Sequence, residues 1–203
     1  MFQNERLNLG ILVVVSLLLS IYLFFKTYVI SMDGAFQYIP MAKIFVSGLL
    51  KDAIAYGGQQ PLYSFLVAIV SPWVSNFEVA GKLVSSFFGI LLIFPVYFLG
   101  KQIFNHRIAF LSTLLLLIHP YIRRFSADVL KESTYLFFLV LAILLARNAL
   151  EKNKMYLYLF IPLLSAIAYL IRPDGVEVLL VIFFYILFIK KFNVSRNKLF
   201  ICR

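Results

Sequence analysis

Long stretches without one charged side chain constrain this sequence more than any other feature. Leu7 to Phe25 is the first, followed by Leu83 to Gly100, Ile108 to Ile122, Ser133 to Ala146, Met155 to Ile171 and Val178 to Ile189. A helix crossing a bilayer needs about 20 predominantly apolar residues. The shorter runs are completed by flanking charged residues whose aliphatic stems lie along the lipid while their heads stay in water. The chain is 63% hydrophobic and 14% charged, with mean hydropathy +0.94. Ordinary globular domains are roughly half apolar and a quarter charged, and a water-soluble fold of 203 residues has too little interior to hide this many apolar side chains. Disorder, a coiled coil and a disulfide-stapled module are all excluded. The single cysteine, Cys202, forms no internal bridge, and no His, Cys and Asp grouping has metal-ligand spacing. The expected fold class is therefore all-α: a polytopic transmembrane helical bundle of about six spans.

One uncharged run reads differently. Between Ala53 and Phe77, the sequence Gly57-Gly58-Gln59-Gln60-Pro61 breaks the first part, and Pro72-Trp73 interrupts the second. Pro61 to Phe77 is read as an amphipathic or re-entrant segment at the membrane surface, with a seventh span as the alternative. Charge placement favours the first reading. With six spans and a cytoplasmic N-terminus, eleven of the nineteen basic residues fall inside with two acids, Glu5 and Glu151, while eight fall outside with seven acids. That satisfies the positive-inside rule. It also accounts for the net charge of +10 without nucleic acid, because the basic residues are scattered over short inner segments and form no stripe with interleaved aromatics.

Three outer clusters carry the chemistry. The first opens the long loop from about Ser31 to Phe77 with Asp33-Gly34-Ala35-Phe36-Gln37-Tyr38. Phe36, Ile39, Ile44, Phe45 and Leu49 then recur at helical spacing, which predicts an amphipathic surface helix with an irregular or delayed first turn at Pro40. Asp33 reads either as an N-cap of that helix or as a base at the membrane interface. The second cluster runs from His119-Pro120 through Arg123, Arg124, Asp128 and Lys131 to Glu132. Two guanidinium groups suit a phosphate, and Glu132 opens an apolar run, where a carboxylate needs a wet cavity or a partner. Asp128 and Glu132, four apart, also read as one helix face neutralised by Lys131 or Arg124. His119 reads as a helix-end residue. The third cluster, Arg172-Pro173-Asp174-Gly175, has turn chemistry and brings another guanidinium to the same side.

In this order the clusters resemble the N-terminal part of a GT-C-type polytopic glycosyltransferase, of the protein O-mannosyltransferase and lipid A aminoarabinose transferase family. The resemblance rests on Asp33 and Tyr38 after the first span, Gln60-Pro61-Leu62-Tyr63 in the first outer loop, Val96-Tyr97-Phe98-Leu99 ending the second span, His119-Pro120, Glu132 opening the fourth span, and Arg172 to Gly175. It covers about Met1 to Lys191. Gly34 stands where many members carry a second acid, which sets this chain apart from a two-carboxylate pattern.

The resemblance implies a sugar moved from a polyprenyl-phosphate-linked donor, held among membrane lipids, to a lipid, glycan or protein acceptor on the extracytoplasmic face. Asp33 would be the general base of one inverting displacement. Arg172, Arg123 and Arg124 would bind the donor phosphate, with Arg172 foremost. Glu132, Asp128 and Tyr38 would orient the acceptor or those arginines, and Gln60 and Tyr63 would line the sugar pocket. A hexose and a pentose are both open, no cofactor is certain, and a divalent metal is left open. Family members carry further spans, so residues 1–191 are expected to be the N-terminal transmembrane part of such a domain and 192–203 a cytoplasmic tail at a truncation point. Two other classes stay open: a lipid or solute transporter, and a non-catalytic fragment or membrane subunit.

Overall fold

The structure is a computed structural model that describes residues 5–27, 29–56, 60–152, 155–177, 179–180 and 183–184. Those residues build helices and no strand. Most of the sixth expected span, the tail at 192–203 and Gly57-Gly58 lie outside the described residues.

α1 (Glu5–Lys26) is the first uncharged run, bounded by an acid in its first turn and a lysine in its last, as the helix dipole favours. It buries Asn8, Leu12, Ser16 and Ser20, a stripe at four-residue spacing, and leaves Leu18, Ile21, Tyr22 and Phe25 exposed. Small side chains along one seam let helices approach closely in a membrane. The opposite face suits lipid. Past Ser31, a π-helical turn (Gly34–Tyr38) leads into α2 (Ile39–Val46) with Pro40 in its first turn. This is the irregular start that Pro40 predicts. α3 (Leu50–Ala55) follows.

α4 (Leu62–Val74) and α5 (Phe77–Leu91) form an antiparallel hairpin. Ser75 turns the chain in a left-handed conformation, and the Asn76 side chain caps α5 by accepting from the Glu78 and Val79 N–H groups. With 13 residues, α4 is only about 20 Å long. α5 continues through a single irregular residue, Leu92, into α6 (Ile93–Ile103), and together they extend over 27 residues. Pro95 lacks the N–H that would bond one turn back, which places the irregularity there. Asn105 caps α7 (His106–Ile118) in the same way as Asn76 caps α5. His119 is extended, as a residue before proline prefers, and α8 (Pro120–Ala127) starts with Pro120 in its first turn, bent 63° from α7. α9 (Glu132–Lys152) and α10 (Met155–Ile171) pack side by side.

Among the described residues three helices are long and apolar enough to cross a membrane, or four when α7 and α8 count as one broken crossing. The protein is a helical membrane bundle. Its two ends differ. At one, Lys101 pairs with Glu5, Gln102 bonds Asn148 and Arg147 donates to the Gln102 carbonyl. The other end gathers the loop after α1, the α8–α9 linker and the turn after α10.

That second end is held by one apolar knob. Val129 is fully buried. A methyl group added to Gly81 would come within 2.6 Å of Val129 Cγ1, and one added to Gly34 within 2.9 Å of Val129 Cβ and its carbonyl. Two glycines thus form the socket in which the linker sits. The second acid that many members of the resembled family carry at position 34 would have no room here. Gly81→Val should lower the thermal unfolding midpoint in detergent, by the equivalent of about 1–3 kcal/mol of overpacking. A midpoint equal to wild type would show that the socket is not needed.

Candidate functional site

The socket organises several of the candidate residues. Asp128, at the end of α8, is buried and extended. Its Oδ1 accepts from the Ser31 N–H (3.1 Å) and the Val129 N–H (2.7 Å). The Ser31 hydroxyl donates to the Val129 carbonyl (3.2 Å), and the Gly34 N–H donates to Ser31 Oγ (3.2 Å). From the other side, Ser85 donates to the Leu130 carbonyl (2.8 Å) and accepts from its N–H (3.4 Å). The chain leaving α1 is therefore bolted to the linker that enters α9. This corrects the helix-face reading of Asp128 and Glu132: Asp128 precedes α9, and its Oδ1 is engaged by backbone N–H groups, with no ion pair to Lys131 or Arg124 among the described residues.

Asp33 follows directly from Ser31. It has helical backbone angles and makes no capping hydrogen bond, so the N-cap reading is also corrected. Its side chain is exposed and has no hydrogen bond or ion pair among the described residues. Its charge is felt by Tyr38 and Lys131, which also feel Glu132 and Arg172. Arg172 lies at the end of α10, where its Nε meets Asp174 (2.5 Å) and its Nη1 lies 3.8 Å from Glu132 Oε1. The guanidinium also lies over the Tyr135 ring at 5.7 Å. Glu132 Oε2 is buried without a partner among the described residues.

Tyr38 forms the floor. It is 2% exposed, meets the Tyr63 ring edge-on at 5.1 Å, and carries the Lys131 ammonium 5.6 Å above its ring. Burial raises the Tyr38 phenol well above its ordinary pKa; Glu132 and Asp33 push the same way and Arg172 opposes. Burial lowers the Lys131 pKa, Glu132 opposes this, and Arg172 adds to it, with Asp33 and Asp174 opposing as well. The charges of Asp33, Glu132 and Arg172 thus reach the Tyr38 phenol, and those three together with Asp174 reach the Lys131 ammonium above it. Such an arrangement can accept a proton at the exposed carboxylate and neutralise an anion between the two cations.

The sequence-expected residues divide. Asp33, Tyr38, Glu132 and Arg172 come together. Arg123 and Arg124 do not join them. The bend at His119 turns α8 toward α1, and both arginines line a separate cavity between α1, α7 and α8, with Ser31 and Asp128 at its edge. The expectation of one pocket holding all three arginines is corrected on that ground. Tyr63 is fully buried, its hydroxyl sharing a hydrogen bond with Ser85 Oγ (2.8 Å) and donating to the Gly81 carbonyl (3.2 Å). It belongs to the core and has no surface to offer a sugar. Gln60 is half-buried, just before α4. His119 ends α7, as its place before a proline predicts. Lys131 is the residue that sequence reasoning undervalued, since it read as a neutralising neighbour. Its adjacency to Glu132 was the available signal. Among the described residues no group of three His, Cys, Asp or Glu side chains is placed to hold a metal ion.

The family model described as dolichyl-phosphate-mannose-protein mannosyltransferase matches residues 58–202. No curated protein and no solved structure matches. The matched region contains Lys131, Glu132 and Arg172. Asp33 and Tyr38 precede it and reach the site through the Ser31–Asp128 bolt.

Proposed function

The chain belongs to the dolichyl-phosphate-mannose-protein mannosyltransferase family, membrane glycosyltransferases of the GT-C type, and from this premise we propose that it moves a sugar from a polyprenyl-phosphate carrier to an acceptor hydroxyl at the extracytoplasmic face. The observation that carries the reading is the grouping of an unpaired, exposed Asp33 with Lys131, Glu132 and Arg172 around Tyr38. The basic residues at the opposite end, Lys101, Arg107 and Arg147 among them, support a cytoplasmic N-terminus and a site facing outward.

In this mechanism Asp33 takes the proton of the acceptor hydroxyl as its oxygen attacks the anomeric carbon. The bond from that carbon to the phosphate oxygen breaks, and the carrier phosphate leaves with the electron pair. A single displacement inverts the anomeric configuration. Charge grows on the departing phosphate, so Arg172 and Lys131 stabilise the transition state more than the ground state. Glu132 holds the Arg172 guanidinium toward the phosphate, and Asp128 positions Asp33 through Ser31. The donor's tail stays in the bilayer, which is why a transferase is built from membrane helices.

The test is transfer by the purified chain in liposomes, with polyprenyl-phosphate mannose first among a panel of hexose and pentose carriers and with hydroxyl acceptors. Product of inverted configuration and release of carrier phosphate are expected. Retained configuration, or transfer from a nucleotide sugar without a lipid carrier, would overturn the mechanism.

A further inference from the structure

The cavity that holds Arg123 is not used by that reaction. It measures about 630 Å³ and lies between α1, the end of α7 and α8. Leu19 and Leu23 of α1 and Leu117 of α7 form its apolar wall. Tyr22, Ile118 and Arg124 also line it and are exposed, so its mouth lies on the face that α1 presents to lipid. Inside, Arg123 is 6% exposed, and its Nε, Nη1 and Nη2 all lack a hydrogen-bond partner among the described residues. Asp128 borders the same space. Its Oδ1 is engaged by the Ser31 and Val129 N–H groups, and it forms no ion pair with Arg123 among the described residues.

A buried guanidinium with five unmet N–H donors is costly to keep. Membrane proteins retain such a group where it meets a partner. A guanidinium fork matches a phosphate. Apolar walls and a lipid-facing mouth match acyl chains rather than a freely soluble ion. We propose that this cavity is a second phosphate site, separate from the Asp33 and Arg172 cluster, which holds the head group of an anionic phospholipid on Arg123, with Arg124 at the mouth and the acyl chains along α1. A lipid seated there would brace α1 against α8, directly behind the Ser31–Asp128 bolt.

The probes are phosphatidylglycerol, phosphatidylcholine, undecaprenyl phosphate and inorganic phosphate, each added to the purified chain in detergent and followed by native mass spectrometry and thermal shift. Phosphatidylglycerol should be retained over phosphatidylcholine and should raise the unfolding midpoint. Arg123→Gln should weaken its retention by about tenfold or more, Arg123→Lys should recover part of it, and Arg172→Gln should leave it unchanged. Ile118→Trp fills the mouth while sparing Arg123, so it should abolish the phosphatidylglycerol-induced shift. It decides the matter if Arg123→Gln does not fold. Equal retention of the two phospholipids would overturn the proposal, as would unaltered binding in folded Arg123→Gln. Displacement of phosphatidylglycerol by inorganic phosphate alone would show a free-anion site instead. Undecaprenyl phosphate displacing phosphatidylglycerol, with both lost in Arg172→Gln, would merge this cavity with the donor site.

Discussion

Asp33→Asn should lower the turnover of sugar transfer by roughly 10²–10⁴-fold while leaving donor binding and thermal stability near wild type. The reason is chemical and local. Asparagine keeps the shape of the side chain and loses the basic oxygen that receives the acceptor proton. Asp33 is exposed and makes no hydrogen bond or ion pair among the described residues, so the exchange breaks nothing that holds the fold. The effect belongs in kcat, since the proton moves only in the reacting complex. Asp128→Asn provides the contrast. That carboxylate carries two backbone N–H groups, and its loss should lower the unfolding midpoint together with activity. Full turnover in Asp33→Asn would remove this residue from the chemistry, even with the family assignment intact.

The contrast between these two aspartates also marks what a sequence discloses. Helices α1, α5–α6, α7 and α9 were legible because a bilayer selects against charge along a whole segment, a property readable in one dimension. Some ends were legible for equally local reasons: His119 ends a helix before Pro120, Arg172-Pro173-Asp174-Gly175 turns, and Pro40 distorts; the Asn76 and Asn105 caps emerged only from the structure. The role of Asp128 was hidden. Its partners, the Ser31 and Val129 N–H groups, are brought to it by the Val129 knob in the Gly34 and Gly81 socket, and a contact between residues 97 positions apart leaves no periodic trace. Tyr63 misled for the same reason: a tyrosine in a motif near the surface reads as a ligand until Ser85 and the Gly81 carbonyl are found on its hydroxyl.

The arginines show how orientation escapes spacing. Arg123 and Arg124 are adjacent to the site in sequence and turn away from it because α8 departs from α7 at 63°. His119-Pro120 announces a break, and its angle follows from packing α8 against α1 and α5. Lys131, eight residues beyond Arg123, is the cation that lies over the Tyr38 ring. Family likeness orders such motifs along the chain, and only the tertiary contacts assign each to one face.

Arg172→Gln should cost roughly 10²–10³-fold in kcat, the scale of removing one preorganised donor from developing negative charge. Glutamine retains hydrogen-bonding capacity and loses the positive charge, so the deficit measures the charge at the departing phosphate. Arg172→Lys should fall between, because an ammonium keeps the charge without the planar fork. Glu132 complicates the reading: Arg172 lies 3.8 Å from Glu132 Oε1 and pairs more closely with Asp174, so its removal also leaves a carboxylate short of a cation. A double-mutant cycle separates the two effects. If Glu132 acts by holding Arg172, then Glu132→Gln lowers activity in the wild-type background and adds little once Arg172→Gln is present. If the two losses multiply, Glu132 has its own contact with the substrate and the positioning role is wrong. A near wild-type kcat in Arg172→Gln would leave Lys131 as the cation at the phosphate, and Lys131→Met would then carry the larger loss.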